Sequence, residues 1–596
     1  MTNIINSIYN ILDNIFKLKQ NNIVSDENLK NCFKILVLDE NAANFLNPLI
    51  KQNDLEQNKI VLTLNINQIR EKLEDIMAIY ICLPTKQNFD IILKDLENNI
   101  YENYSFNFIE NVNENEFNDF LSNILKFNVD KIFNLNVFPI NLQIFHKNVF
   151  DINYNQPFYF LNIKSNEEKI TNYFNLISNK LLNLCFILKI NPIIKYQKKN
   201  NYFTQIISKF HNKFNSIFQK FPELQQNFNF KSKNLLIILN REIDINIMIH
   251  HGSSYASMIN EVCKIETQNS NNSKTIFQVD PINDYIWEKS INSSFIDVGE
   301  ETYLEYKKYF NENNIEIKAN NNDNLDEIEK KSEMLTEQIK NIDKKKLKGD
   351  LLAKHANFYN IIKKNVDEKN LGQIYEIEYL ILNNKNINDE INKKISEFNY
   401  NLNKENYLDI LRLFLIYYFY YVEDNETFYN KFIIQFESFI EKKKLKNLLN
   451  FIENKKNENG IISNSNNEEK NNIAKKYIKK GFNFVIDTVK NLYTSKDKSI
   501  TSQLIENIIK NKNVDEIETE IFFKELNLYT NNQYYENVII FMIGGGCYSE
   551  YEYICNKLER FNINIIYGSD KIYKPNEFLL ELNDISNNNN NNNNNI

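Results

Sequence analysis

Glycine and proline are scarce in this sequence, with 10 and 8 residues respectively in a chain of 596. A phosphate-binding loop needs two or three glycines, because its backbone must adopt positive φ angles or approach the ligand closely. So few glycines argue against several such loops. The cluster Gly544-Gly545-Gly546 lacks both the third glycine of GxGxxG and the Gly-Lys-Ser/Thr ending of a P-loop. It follows a predicted strand, and we interpret it as a tight strand-to-helix turn with close backbone packing.

Paired cysteine motifs, long apolar runs and an excess of positive charge are also missing. The six cysteines include no CxxC pair, which favours a reducing, cytosolic setting. The longest apolar run, 413–422, is about half as long as a membrane-spanning helix. Residues 1–19 have the pattern of an amphipathic helix rather than of a signal peptide. The net charge of -8 indicates no nucleic-acid surface.

Motifs of catalysis and of metal binding are not found either. His250 and His251 are adjacent, so on a helix they would point apart and could not share a metal as histidines at i and i+4 do. Hydrogen bonding or capping is their expected role. The segment 251–255 (HGSSY) lacks the second glycine of GxSxG, and no kinase-like HRD and DFG pair occurs. We therefore expect no catalytic residue, no metal and no cofactor.

Alternating strand and helix patterns predict the fold class. Short continuous apolar runs at 33–39, 78–83 and 106–109 are separated by helical patterns, which predicts a parallel sheet covered on both faces. The alternation returns at 235–239 and again at 538–543. These later strands are expected to join one sheet, although some 300 residues separate them.

The middle of the chain differs, because long charged helical patterns with little strand signal fill about 326–450. The expected fold is α/β, with two doubly wound parallel-sheet domains and a mostly helical domain inserted into the second. The Asn-rich end predicts disorder. The expected domains are 1–145 (N-terminal α/β), 146–265 (second α/β, first part), 266–494 (helical insertion), 495–586 (second α/β, second part) and 587–596 (disordered tail).

Four stretches of the sequence carry the patterns of one protein family. They are 78–85 (AIYICLPT), 235–251 (LLIILNREIDINIMIHH), 411–418 (LRLFLIYY) and 538–551 (VIIFMIGGGCYSEY). With them the chain resembles the SM proteins, the Sec/Munc-type regulators of SNARE-driven membrane fusion. Within that family it is most similar to the Sly-type branch of ER–Golgi traffic. The likeness covers nearly the whole chain.

One position departs from the family pattern. Asn240 stands where the family usually has aspartate, which puts in doubt a salt link made by that carboxylate. Arg241 and Asp244 of the same motif are kept.

The resemblance implies a three-domain arch without enzyme activity. It also implies that the first domain binds the N-terminal peptide of a syntaxin-type SNARE in an apolar pocket at Phe117, Phe120, Leu121 and Ile132. The first three of these share one helical face by their i, i+3, i+4 spacing. The alternative, that this face is simply core, stays open, since amphipathic stripes are core by default. Two phenylalanines could also reshape or partly fill such a pocket.

The resemblance further implies that a helical hairpin, here at roughly 326–366, holds SNARE helices as they assemble. The Asn-rich segment Ala319–Asn324 occupies the place of a loop that covers this surface in Sly-type members, and we treat it as a hypothetical lid.

The expected function is thus SNARE-complex assembly for vesicle docking and fusion in ER–Golgi transport. The protein is expected to be a cytoplasmic monomer that reaches ER and Golgi membranes peripherally, through SNAREs. Two alternatives stay open. One is an α/β enzyme that binds a nucleotide or small ligand in a sheet crevice, and the other is an SM protein of a vacuolar or endosomal route.

Overall fold

The computed structural model contains two mostly parallel sheets with helices on both faces, and a helical region inserted into the second α/β unit. This confirms the predicted α/β fold and its interrupted second unit. The structure describes residues 3–20, 23–24, 32–162, 167–197, 201–222, 224, 228, 233–266, 276–312, 347–383, 406–421, 433–458, 499–510, 517–520 and 535–593.

The first α/β unit is built on five parallel strands. Its elements are α1 (Ile4–Phe16), β1 (Lys19–Gln20), β2 (Ile23–Val24), β3 (Lys34–Leu38), α2 (Glu40–Leu46), α3 (Gln52–Gln57), β4 (Ile60–Asn65), β5 (Leu73–Cys82), α4 (Lys86–Glu97), β6 (Tyr101–Phe108), α5 (Glu114–Ile124) and β7 (Ile132–Val137). The strand order is β4-β3-β5-β6-β7. Strand β3 is buried along its whole length, as its continuous apolar run predicts. Thr85 caps α4 through the backbone N–H of Asn88, which was also expected.

The second unit begins directly after the first. Its first part consists of β8 (Gln143–His146), β9 (Val149–Asp151), α6 (Pro157–Asn162), α7 (Glu167–Leu188), β10 (Ile193–Gln197), α8 (Asn201–Lys220), β11 (Asn234–Asn240) and α9 (Tyr255–Val262). Strand β8 already belongs to the second sheet, so the chain enters that sheet at Gln143, slightly before the predicted boundary at residue 145.

The insertion is mostly helical, as predicted. It comprises β12 (Lys264–Glu266), β13 (Ile276–Gln278), α10 (Tyr285–Ser290), α11 (Phe295–Glu312), α12 (Leu347–Glu368), α13 (Leu371–Asn383), α14 (Tyr407–Tyr421) and α15 (Lys442–Glu458). Helix α14 is buried almost all round and forms the centre of this region. Among the described helices, none has the length and apolar character to cross a bilayer.

The chain then returns to the second sheet. The returning elements are α16 (Ile500–Ile509), β14 (Ile517–Glu520), β15 (Asn537–Ile543), α17 (Tyr548–Leu558), β16 (Asn564–Ser569) and α18 (Pro575–Asn593). The sheet has the order β14-β10-β11-β15-β16-β9-β8, with a parallel centre and antiparallel edge strands β14 and β8. Strands β11 and β15 pair in parallel from Asn234–Asn537 to Asn240–Ile543. The prediction that distant strands rejoin in one sheet is therefore confirmed.

One prediction differs from the structure, and two others concern segments that the structure does not describe. Helix α18 continues to Asn593, into the Asn run for which we expected disorder from residue 587. Extending an existing helix adds a hydrogen bond per residue without a new nucleation step, which explains the difference. The hypothetical lid at 319–324 and the part of the predicted hairpin at 326–346 lie outside the described residues.

The two α/β units share one hydrophobic cluster. It combines one face of the first sheet (Leu36, Met77) with α1 and with the buried sides of α7 and α8 (Ile177, Phe210). Lys180 of α7 adds an ion pair to Glu110, which follows β6. The first unit is therefore joined to the second by packed side chains and not by a linker alone.

Arg241 and Glu550 form a fully buried ion pair beside the junction of β11 and β15. The two guanidinium nitrogens lie 2.8 and 2.7 Å from the two carboxylate oxygens, and both side chains have 0% exposure. Arg241 also donates to the carbonyl of Asp244 at 2.8 Å. Asn240 instead caps the following turn by accepting the N–H of Glu242. The salt link at position 240 that the sequence put in doubt is therefore absent, and Glu550 supplies the carboxylate for Arg241.

A short strip of chain after β11, residues 249–255, fastens the insertion to the second unit; we call it the docking strip. Arg412 of α14 donates to the carbonyls of Ile249 (2.9 Å) and His250 (2.8 Å). Glu378 of α13 accepts the backbone N–H of His251 and lies 2.7 Å from its Nδ1. His251 thus has the hydrogen-bonding role that we expected for the pair.

We predict that Arg241→Ala lowers the free energy of unfolding by about 3–5 kcal/mol, because it leaves Glu550 buried and unpaired. The midpoint of urea denaturation, followed by circular dichroism, measures the effect. Lys289→Ala is the matched control, because it breaks the exposed Lys289–Glu301 pair and should leave the midpoint nearly unchanged. Equal midpoints for the two variants would contradict the assignment.

We also predict that the melting temperature falls as the pH rises from about 7 to 8. Burial raises the pKa of Glu378 to about 8 and that of Asp151 to about 7, so the folded chain holds protons that the unfolded chain has lost. The two carboxyl groups contribute their full stabilisation when the pH lies below their unfolded pKa of about 4. This stabilisation is lost as the pH rises through their folded pKa. The buried histidines, whose pKa values burial lowers, are neutral in the folded chain in this window. In the unfolded chain, with a pKa of about 6.5, they lose their remaining protons near pH 7, so they oppose the trend only at the lower end of the window.

Thermal melts at constant ionic strength test this dependence. Glu378→Gln keeps an acceptor for the N–H of His251 and removes the titrating group, so its melting temperature should fall less steeply than that of the unchanged protein. A variant that declines just as steeply would show that Glu378 does not titrate in this range.

Candidate partner-binding surfaces

The four residues of the predicted pocket lie on α5 and β7, at the edge of the first sheet. Phe120 is buried, with 2% exposure, and stacks on Phe89 of α4 at 4.3 Å between ring centroids. Phe117 is half-buried and lies 6.2 Å from the ring of Phe120. Ile132 is half-buried in the same cluster. Phe120 therefore belongs to the core of the unit, whereas Phe117 and Ile132 lie where this core meets the surface.

Leu121 belongs to an apolar strip that continues onto the surface. It is half-buried on α5, and Leu125 follows one helical turn later with 72% exposure. Val129, in the turn before β7, is 46% exposed. We call Leu121, Leu125 and Val129 the apolar strip. Sequence reasoning missed Leu125 and Val129, although the i, i+4 spacing from Leu121 was a usable signal.

The first turns of α5 are acidic, Lys126 and Lys131 lie next to the apolar strip in the chain, and the neighbouring edge strand offers free backbone. Glu114, Glu116 and Asp119 are exposed on α5. Strand β7 is the edge of the first sheet and is half-buried at all six positions. An edge strand leaves one side of its backbone without a strand partner. The surface can therefore contact a peptide through apolar anchors, through basic side chains and through the main chain.

The crevice at the carboxyl end of the first sheet is closed by the chain's own carboxylate. In open parallel sheets, ligands bind where the strand order reverses, here between β3 and β5. Asp39 follows β3 and caps α2 by accepting the N–H of Ala42 at 2.7 Å. Its other oxygen accepts the N–H of Leu83, after β5, and the side-chain amide of Asn88, each at 2.9 Å. Donors that could hold an anionic ligand already have a partner.

In the glycine turn of the second sheet, a carboxylate of the chain likewise accepts the backbone donor that a ligand could use. Gly544 and Gly545 have φ of +95° and +113°, which favour glycine, so the turn is the tight strand-to-helix connection that we predicted. The N–H of Gly544 donates to Asp570 Oδ2 at 2.7 Å, and the hydroxyl of Tyr173 donates to the same oxygen. A side chain at position 546 would collide with Tyr567. An internal carboxylate therefore lies where a phosphate-binding loop would hold its phosphate.

Within the described ranges, His, Cys, Asp and Glu side chains form no group of three or more that could hold a metal ion. None of the six cysteines, all of which are described, forms a disulfide, and burial raises the pKa of Cys185 and Cys547. These thiols are protonated and shielded, so the described residues offer neither a metal centre nor an activated cysteine.

The second candidate surface is the pair of helices α11 and α12 in the insertion. Their contact includes Phe295 and Tyr359, whose rings stack at 4.5 Å, and Gly299 lets the Tyr359 ring approach the α11 backbone. Leu304 of α11 is 56% exposed. Helix α11 ends at Glu312 and α12 begins at Leu347, so the pair flanks the segment in which the rest of the predicted hairpin lies.

Comparisons with known proteins concern the family and the overall fold of the chain. The model of the Sec1 family matches residues 34–581. Protein SLY1 of Saccharomyces cerevisiae is 23% identical over 92% of this chain and 90% of its own length. The crystal structure of Sly1p with an N-terminal peptide of Sed5p has a TM-score of 0.75 at 19% identity and covers 99% of this chain and 100% of that one. The Unc18–syntaxin 1 complex from Monosiga brevicollis has a TM-score of 0.71 at 13% identity, over 98% of this chain and 100% of the matched one.

Proposed function

The chain belongs to the Sec1 family and is of the Sly1 type, and on this premise we propose that it binds a syntaxin-type SNARE and templates SNARE-complex assembly in ER–Golgi transport. The family match confirms the resemblance read from the sequence. Sly1p was solved with a peptide of Sed5p, and an Unc18 protein with syntaxin 1. A partner of the same kind is therefore the first to test for this chain.

The observation that carries the proposal is the exposed apolar strip at the edge of the first unit. Exposed apolar side chains in one continuous patch indicate an interaction surface. Leu121 is the half-buried end of the strip, and the half-buried Phe117 and Ile132 lie on the same two elements at the margin of the core that contains Phe120. The acidic residues of α5 favour a peptide with basic side chains. We assign this surface, within domain 1–145, to the N-terminal peptide of the SNARE.

The helical insertion, domain 266–494, is assigned the second task of holding SNARE helices. Helices α11 and α12 are anchored by stacked aromatics and flank the rest of the hairpin. Two partner helices that are held in register lose less freedom when they associate, so assembly becomes more favourable. The hairpin at 326–366 and the lid at 319–324 are part of this proposal.

We infer that the chain is no enzyme and acts through shape and contact. The internal carboxylates of Asp39 and Asp570 support this inference, because they occupy the crevices that a nucleotide-binding enzyme of this architecture would use. The place of action proposed here is the cytoplasmic side of ER and Golgi membranes, reached through SNAREs. An SM protein of a vacuolar or endosomal route is the second candidate.

We predict that Leu121→Lys weakens binding of the N-terminal peptide of Sed5p to the full chain by about tenfold or more. The new ammonium would have to be desolvated in an apolar contact, and 1.4 kcal/mol already corresponds to a factor of ten. Fluorescence anisotropy of a labelled peptide measures the affinity.

Ile69→Lys is the matched control for this experiment. Ile69 is a fully exposed apolar residue of the same unit, next to the opposite edge strand β4. Its replacement should leave peptide affinity unchanged. Equal affinity of the Leu121→Lys variant and the unchanged protein would remove the peptide site from this surface.

We also predict that ATP and NAD do not bind at millimolar concentration, as measured by isothermal titration calorimetry and by the shift in melting temperature. The reason is that Asp39 and Asp570 already accept the backbone donors of both crevices. A saturable shift with either nucleotide would favour the enzyme alternative instead.

A further inference from the structure

The docking strip receives one polar side chain from each of three successive long helices of the insertion. Arg412 of α14 and Glu378 of α13 bond to its backbone, as described above. The third is His355 of α12, whose Nδ1 lies 2.7 Å from the hydroxyl of Tyr255 at the end of the strip. His355 has 1% exposure and Tyr255 has 0%. This contact is a side-chain hydrogen bond that joins α12 to the strip.

The protons of this contact can be assigned from the partners of His355. Its Nε2 lies 2.7 Å from Asp284 Oδ1, so Nε2 carries the proton and donates to the carboxylate. Burial lowers the pKa of His355, so the ring is neutral, and Nδ1 must accept. The Tyr255 hydroxyl therefore donates to His355, and His355 donates to Asp284.

Asp284 ties this chain of hydrogen bonds to the second sheet. Its carboxylate caps α10 by accepting the N–H of Trp287 at 2.9 Å, and Lys354 of α12 adds a second contact at 2.7 Å. Burial disfavours the charge, but the hydrogen bond from His355 and the charge of Lys354 hold the pKa of Asp284 well below its usual range. Trp287 in turn donates its indole N–H to the carbonyl of Phe145 in β8 at 2.8 Å.

Apart from His355 and Lys354, which both bond to Asp284, α12 packs at this level through aromatic rings. Phe358 packs edge-to-face on Phe277 at 4.7 Å, and Tyr359 stacks on Phe295. Hydrophobic packing is non-directional, whereas hydrogen bonds require aligned donors and acceptors. His355 lies in the third turn of α12, so about 12 Å of helix extends from it toward Leu347 and the segment beyond. A small rotation at His355 therefore moves that end by a larger amount.

We propose that His355, held between Tyr255 and Asp284, is a positioning residue that sets the direction of α12 relative to the second α/β unit. The proposal deepens the proposed function, on which its consequence for partners rests, because α12 is the described half of the surface assigned to SNARE helices. It assigns a role to the tyrosine of the docking strip and to the histidine that faces it.

Tyr255→Phe is the decisive variant, because it removes one hydroxyl and keeps the ring. Tyr548→Phe is its matched control. Both rings pack on Trp287, with centroids at 6.4 and 6.3 Å, and both are buried. The Tyr548 hydroxyl has no hydrogen-bond partner among the described residues, so its loss should change nothing in the direction of α12.

The direction of α12 can be measured in the full chain without any partner. Spin labels on introduced keto amino acids at Asn357 of α12 and Glu559, both exposed, leave the native cysteines untouched. Double electron–electron resonance should give a shifted or broadened distance distribution for Tyr255→Phe and for His355→Gln. Tyr548→Phe should reproduce the original distribution. A Tyr255→Phe protein with a lower melting temperature and an unchanged distribution would overturn the proposal, because the contact would then serve stability alone.

A second measurement separates this proposal from the proposed function. Tyr255→Phe should bind purified soluble Sed5p roughly fivefold more weakly, the loss of about one hydrogen bond, and should bind the N-terminal peptide of Sed5p as tightly as before. A changed distance without any change in the binding of soluble Sed5p would overturn the consequence for partners. If the unchanged protein ignores Sed5p and its peptide altogether, the proposed function falls, and the distance measurement still decides the role of His355.

Discussion

The parallel pairing of β11 with β15 is the constraint on which the rest of the structure depends. It brings together two segments that are nearly 300 residues apart in the chain, over seven paired positions. Closing so long a loop costs little more than closing a shorter one, because the entropic cost grows only with the logarithm of length. The insertion can therefore be large, provided that it leaves and re-enters the sheet at neighbouring points. The buried Arg241–Glu550 pair lies beside this junction, and the docking strip, which follows β11 later in the chain, attaches the insertion.

Both sheets keep the architecture of ligand-binding α/β proteins and fill its crevices with their own side chains. Asp39 and Asp570 accept the backbone N–H groups that an anionic ligand would otherwise use. Buried polar groups must be paired, so an α/β unit without a ligand needs such internal acceptors at the ends of its strands. The chain thus uses the carboxyl ends of its parallel strands for cohesion, and its recognition surfaces lie elsewhere, on an edge helix and on the insertion.

Much of this fold could be predicted from the sequence, because buried parallel strands are continuous apolar runs and the family motifs lie on them. Strand β4 was missed, since it is an exposed edge with a register shift, and β8 and β14 are short antiparallel edges whose sequences carry no such run.

The helical face of Phe117, Phe120 and Leu121 was correctly grouped by its spacing. Periodicity could not decide how deeply each is buried, because that depends on what packs over the helix. Phe120 is covered by Phe89, whereas Leu121 is only half-buried.

The cluster of apolar side chains that α1, α7 and α8 share with the first sheet has a consequence for tethered partners. Since the two α/β units are packed on each other, a chain anchored at the outer edge of the first unit is confined to a limited volume around the insertion. Its second attachment is then an intramolecular event, for which short flexible tethers give effective concentrations in the millimolar range. Avidity of this kind lets two individually weak contacts act as one strong capture, and it is lost if the tether is too short to span the distance between them.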